Sequence, residues 1–216
     1  MSYKDICAEI GTEKILAVSK LQPIEKIQSL YNLGHRAFGE NYVQEALDKQ
    51  EQLKHLPDLK WHLIGHLQKN KAKYVVGKFE LIHSVDSLEL AQVLSRQCES
   101  KNVEQKVLIQ VNLAHEESKS GFDKETVLKQ WQDLCRLPHL HIEGLMTMPP
   151  LTETGEEVRP YFQELRNLKE ELISKTDLSV HPMTTLSMGT SHDYKVAIQE
   201  GATLVRLGTI LFGARN

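Results

Sequence analysis

The chain has 216 residues, 40% hydrophobic and 25% charged, which excludes a disordered polymer and allows one large domain or two small ones. Its 26 Lys and Arg against 29 Asp and Glu give a formal net charge of −3, which excludes a protein that binds nucleic acid through bulk positive charge. Three scattered cysteines without a C-x-x-C pair, no membrane-length apolar run and a start, MSYKDICAEIGTEK, without a signal-peptide pattern predict a cytoplasmic protein with no disulfide framework and no membrane association.

In chain order, short apolar runs alternate with segments of helical period. The predicted strands are Ile15 to Val18, Arg36 to Gly39, Trp61 to Ile64, Leu81 to Val85, Val107 to Val111, Ile142 to Met146, Thr185 to Met188 and Thr203 to Leu207. Most are apolar almost throughout, as parallel strands covered on both faces must be. Between them, Ala72, Val75, Val76 and Phe79 carry helical spacing, as do Val127, Leu128, Trp131, Leu134 and Cys135. The longest stripe runs Val158, Phe162, Leu165, Leu168 and Leu172; Pro160 argues that this helix starts later than Thr154, which could otherwise form a capping box with Glu157. Gly34 and Gly201 stand where the first and seventh helices should end. Repeated β-then-α units with no linker predict a single α/β domain over 1–216, a (β/α)8 TIM barrel, with a doubly wound sheet as the runner-up.

Barrels of this kind work at the C-terminal ends of their strands, so the residues after each apolar run are the candidates. Lys20 ends ILAVSK, where partial burial would lower its pKa and free the amine for attack on a carbonyl; a lysine snorkelling to solvent is the bland alternative. SMGTS (187–191) is read as the opening of the seventh helix, and with Gly208 and Thr209 it offers either backbone N–H groups for a phosphate or ordinary helix caps. Arg206 interrupts an apolar strand and needs an acceptor, either Glu40 or Glu143 in a salt bridge or a ligand. A lysine for a Schiff base, a phosphate cradle and an inward arginine together suit pyridoxal 5′-phosphate (PLP).

AVSK followed by Pro23, FGENYVQEA (38–46), WHLIGHLQKNK (61–71), HSVD (83–86), ESKSG (117–121), GLMTMPP (144–150), LSMGTSHDY (186–194) and VRLGTILFGAR (205–215) resemble the pyridoxal phosphate homeostasis protein family. The resemblance spans nearly the whole chain and implies a barrel similar to the N-terminal domain of alanine racemase. It implies that Lys20 carries PLP as a Schiff base, that Arg206 faces the pyridine nitrogen, and that Ser187 with the backbone at Gly208 and Thr209 holds the phosphate. Asn41 and Met188 look like further cofactor contacts, although Asn41 could equally be the N-cap of the second helix. Two departures stand out. Leu21 and Gln22 precede Pro23 where many members have T-K, so a second lysine has no carrier, and at most about two helical turns precede Ile15.

An arginine at the ring nitrogen cannot accept a proton bond and leaves the nitrogen unprotonated, which weakens the cofactor as an electron sink. Alanine racemase also uses a tyrosine from an additional β domain, and this chain ends eight residues beyond Gly208. Tyr42 and Tyr194 lie near the expected mouth, but both are read as packing on their helices. The expectation is therefore a monomeric, non-enzymatic protein that buffers PLP or delivers it to apo PLP-dependent enzymes, against the alternatives of a PLP-dependent racemase and a cofactor-free Schiff-base aldolase. His62 and His66 are too far apart on a strand to share a metal, His139 and His141 read as surface residues, and Lys119 reads as a solvated loop lysine or a contact for a second PLP.

Overall fold

The computed structural model describes residues 2–114, 116 and 119–213. In it, eight parallel strands form a closed barrel in sequence order. The strands are β1 (Ile15–Val18), β2 (Ala37–Glu40), β3 (Lys60–Leu63), β4 (Leu81–Val85), β5 (Gln105–Gln110), β6 (Leu140–Met146), β7 (Thr185–Thr190) and β8 (Leu204–Leu207). The register of β1 on β8, with Leu16 opposite Arg206, closes the ring. Helix α1 (Tyr3–Ile10) precedes β1, and α2 (Ile24–Asn32), α3 (Val43–Gln52), α4 (Ala72–Val75), α5 (Leu88–Lys101), α6 (Lys124–Cys135), α7 (Arg159–Ile173), α8 (Tyr194–Gln199) and α9 (Thr209–Phe212) each follow one strand. Among the described residues no helix is long and apolar enough to cross a membrane.

The apolar core has two parts. A large shell packs the outer faces of the strands against the helices, with Phe38, Ile82, Trp131, Phe162 and Leu165 at its centre. A small separate cluster of Leu81, Leu108 and Met146 belongs to β4, β5 and β6. Every strand is therefore buried on both sides, which is why its sequence reads as a continuous apolar run.

Two local expectations need correction. The stripe Ala72, Val75, Val76 and Phe79 does not make a helix of that length: α4 stops at Val75, Val76 is extended, and Gly77 turns with φ +74° while its N–H donates to Gln105 Oε1 at 3.1 Å. All four apolar residues are buried nonetheless, so the spacing reported burial rather than helix. SMGTS does not open a helix either. Residues Ser187 to Thr190 extend β7 through its pairing with β8, and α8 begins only at Tyr194. At the start of α7 both sequence signals operate: Thr154 and Glu157 form the capping box on a 3-10 turn (Gly155–Val158), and the α-helix begins at Arg159, just before Pro160. Gly34 and Gly201 lie just past α2 and α8 with φ of +97° and +93°, a conformation that glycine alone adopts without penalty.

Candidate functional site

The C-terminal strand ends surround a cavity of about 440 Å³. Lys20, Asn41, Arg206, Gly208 and Thr209 all line it, together with Thr190 and Ser191, so residues from β1, β2, β7 and β8 converge on one space. Lys20 sits in the turn after β1, closed by the Gln22 N–H donating to the Ser19 carbonyl at 3.0 Å. Asn41 follows β2 where the chain passes Gly65. A side chain on Gly65 would overlap the Asn41 backbone, so the close approach of these two strand ends requires glycine. Tyr42, not Asn41, is the N-cap residue of α3, and Asn41 Oδ1 is buried without a hydrogen-bond partner. That leaves the amide available to a ligand rather than committed to a helix end.

At the far side of the cavity the N–H groups of Gly208 and Ile210 both donate to Ser191 Oγ, at 3.1 and 3.4 Å. Two backbone donors converging on one oxygen form the kind of concavity that accepts an anion. Ser187 and Met188 do not line the cavity. Ser187 is fully buried beneath Arg206, and Met188 is fully buried in the shell.

Arg206 is 5% exposed, and burial pulls its pKa down to about 10, which still leaves it charged at neutral pH. It pairs with neither Glu40 nor Glu143. Nη1 donates to the Ser187 carbonyl (2.7 Å) and to Ser187 Oγ (2.8 Å), and Nη2 to the Thr147 carbonyl (2.9 Å). Among the described residues no carboxylate forms an ion pair with it, and Glu40 is engaged by Lys49 and Ser19.

A polar column runs below Arg206. His83 Nδ1 lies 3.0 Å from Ser187 Oγ, and His83 Nε2 lies 3.0 Å from His62 Nδ1. Strands β4 and β7 are not neighbours, so the His83–Ser187 bond crosses the barrel interior. A guanidinium only donates, so Ser187 Oγ accepts from Arg206, and the tautomers of His83 and His62 set the direction of the two bonds below it. Both rings are neutral in this chain. Burial lowers His62 to about 4 and, with His62 and Arg206 as smaller contributors, holds His83 well below the usual histidine range. Nothing in the residue pattern singles out His83, and His62 reads only as half of an H-x3-H pair with His66. His66 instead lies at the mouth against Asp86 (3.0 Å).

The downward shift of both histidines predicts an acid-sensitive fold. Above about pH 6.5 both rings are neutral folded or unfolded and contribute nothing; below it the unfolded chain binds the protons first, so stability falls with falling pH until the folded pKa values are reached. Each ring contributes at most about 1.4 kcal/mol per pH unit, reached only where the unfolded ring is protonated and the folded one still neutral. Urea unfolding between pH 7 and 4.5 should show this slope, and His62→Gln should make it shallower; an unchanged slope in the variant would refute the assignment.

The remaining candidates are placed as follows. His139 and His141 are half-buried and share Glu104. Lys119 pairs with Glu116 and donates to the Pro149 carbonyl at 3.0 Å, outside the cavity lining. Glu117 and Ser118 of ESKSG, and Ala214 and Arg215 of the last motif, lie outside the described residues. Tyr194 is buried, as expected for a packing residue, and its hydroxyl donates to Glu9. Tyr42 is not: it is 53% exposed, beside a second depression next to the mouth. The sequence also passed over Glu45 and Lys49, which stand with Glu40 behind the Lys20 turn. Glu45 and Lys49 have i,i+4 spacing, a pattern that reads as a solvated helix face.

Residues 3–216 match the family described as alanine racemase, N-terminal domain. The chain is 48% identical to the pyridoxal phosphate homeostasis protein of Aquifex aeolicus over 94% of its own length and 87% of the relative's. It is also similar to the solved structures of PipY from Synechococcus elongatus. The PLP-free form gives a TM-score of 0.92 at 40% identity, and the form with PLP bound gives 0.90 at 39%; each covers 97% of both chains.

Proposed function

The chain belongs to the pyridoxal phosphate homeostasis protein family and to the wider family of the alanine racemase N-terminal domain, and on that premise we propose that it binds PLP covalently through Lys20 and buffers or delivers it without strong catalysis of its own. The observation that carries the reading is the convergence of Lys20, Arg206, Asn41 and the Gly208–Thr209 backbone on one cavity of about 440 Å³. This donor set fits the cofactor. The buried, unpartnered Asn41 Oδ1 awaits a donor, and the amides gathered on Ser191 Oγ suit a phosphate. When bound, PLP supplies an aldehyde for an amine and a ring that withdraws electrons.

The chain's own residues argue for holding rather than exploiting that ring. Arg206 can only donate, so it keeps the facing nitrogen unprotonated. Its guanidinium is locked to Ser187 and Thr147, so it cannot swing away. No tyrosine lines the cavity among the described residues to serve as an acid on a second face. On this reading the protein is a single-domain cytoplasmic monomer whose recipients are apo PLP-dependent enzymes.

The test is to load the full chain with PLP and follow cofactor appearance in an apo-enzyme trap, beside amino acid turnover by the loaded protein alone. Transfer faster than spontaneous release supports a carrier, and transfer at the release rate supports a buffer. Turnover at an ordinary enzymatic rate, lost in Lys20→Ala, would overturn the non-enzymatic reading.

A further inference from the structure

We propose that Lys49 is a positioning residue for Lys20: with Glu40 and Glu45 it clamps the β1 turn in the conformation that presents Lys20 to the cavity. The inference rests on the covalent role given to Lys20 above. Lys49 is 5% exposed, and its ammonium meets three acceptors: the Ser19 carbonyl (2.6 Å), Glu40 Oε1 (2.8 Å) and Glu45 Oε1 (2.7 Å). An ammonium has three N–H donors, so Lys49 is saturated and serves as an anchor rather than a second nucleophile.

The same oxygens hold the turn. Ser19 Oγ donates to Glu40 Oε1 at 2.6 Å, and the Leu21 N–H donates to Glu45 Oε1 at 2.6 Å. The clamp therefore grips the residue before Lys20 and the residue after it. Leu21 adopts φ +58°, a left-handed conformation uncommon for a residue with a side chain. Its side chain is 63% exposed, so its own packing does not explain that backbone. The bond to Glu45 does, and it fixes the direction in which Lys20 leaves β1. Glu40 is fully buried and Lys49 nearly so, which makes this a desolvated ion pair whose carboxylate would be stranded if Lys49 were removed.

If the clamp sets the turn, Lys49→Met should weaken PLP binding about tenfold, the effect of roughly 1.4 kcal/mol of lost preorganisation. Leu21→Gly should restore part of the loss, because glycine adopts the left-handed turn unaided. A purely structural role for Lys49 predicts no such rescue. The experiment titrates wild type, Lys20→Ala, Lys49→Met and Leu21→Gly/Lys49→Met with PLP, reading visible absorbance and the borohydride-fixed mass, with circular dichroism as the check on folding. Wild type without an absorbance that Lys20→Ala abolishes would refute the covalent role itself. Wild type that binds, with a folded Lys49→Met of equal affinity or a double variant no better than the single one, would overturn the clamp. Should Lys49→Met fail to fold, Glu45→Ala removes the Leu21 anchor and one of the three Lys49 acceptors while leaving the Lys49–Glu40 pair: weaker binding supports the proposal, and unchanged binding overturns it.

Discussion

Lys20→Ala protein should stay colourless after incubation with PLP, and borohydride should fix no mass to it, whereas wild type should turn yellow and retain one cofactor on the peptide containing Lys20. The chemistry leaves no substitute. The lysine nitrogen bonds to the aldehyde carbon, the carbonyl oxygen leaves as water, and hydride from borohydride turns the link into an amine that survives denaturation. Lys49, which stands behind the same turn, has its donors committed to Ser19, Glu40 and Glu45. Because Lys20 is a half-buried residue of a turn, its removal should change stability by only about 0.5 kcal/mol. Loss of colour with an unchanged melting temperature is thus the expected pair of results. A borohydride-fixed cofactor on another lysine of the wild type would refute the assignment.

Arg206→Met should be the variant with the largest combined effect on binding and stability. Its side chain donates three hydrogen bonds, to Ser187 twice and to Thr147, and all of them are buried. Hydrogen bonds from a charged donor contribute about 1.5–3 kcal/mol each, but burying the guanidinium itself is costly. Among the described residues no carboxylate is ion-paired with it, so its removal breaks hydrogen bonds rather than an ion pair, and the net loss should fall near 2 kcal/mol rather than the roughly 3–5 kcal/mol of a broken buried ion pair. In a domain of this size that lowers Tm by about 4–8 °C. Losing the donor to the ring nitrogen should weaken PLP binding by at least about tenfold. Thermal unfolding with an absorbance titration checks both, and a variant that binds PLP as wild type does would remove Arg206 from the site.

Much of this architecture was legible in the chain because a strand in a parallel barrel is buried on both faces and so spells its position in consecutive apolar residues. ILAV and LIHSV match β1 and β4 end to end, and the other strands shift by only one or two residues. The positions at their ends were legible for the same reason: strand ends in a barrel share one rim, and Lys20, Asn41, Arg206, Gly208 and Thr209 line one cavity there.

What local pattern does not contain is the identity of partners across the barrel. An inward Arg206 calls for Glu40, Glu143 or a ligand as acceptor; in the fold it bonds to carbonyls and a hydroxyl of Ser187 on β7 and Thr147 just past β6, and Glu40 belongs to Lys49. His83 meets Ser187 across 104 positions of sequence, and Lys49 meets Ser19 across 30, distances over which residue spacing carries no geometric information. Ser187 looked like a phosphate contact and lies beneath Arg206 instead, because pairing with β8 draws SMGT into the strand. The chain alone thus specified the strand order, the rim and the chemical types available there, since burial and periodicity are local. Closure of the barrel alone decided which of those groups touch, since it is closure that brings β1 to β8 and β4 to face β7.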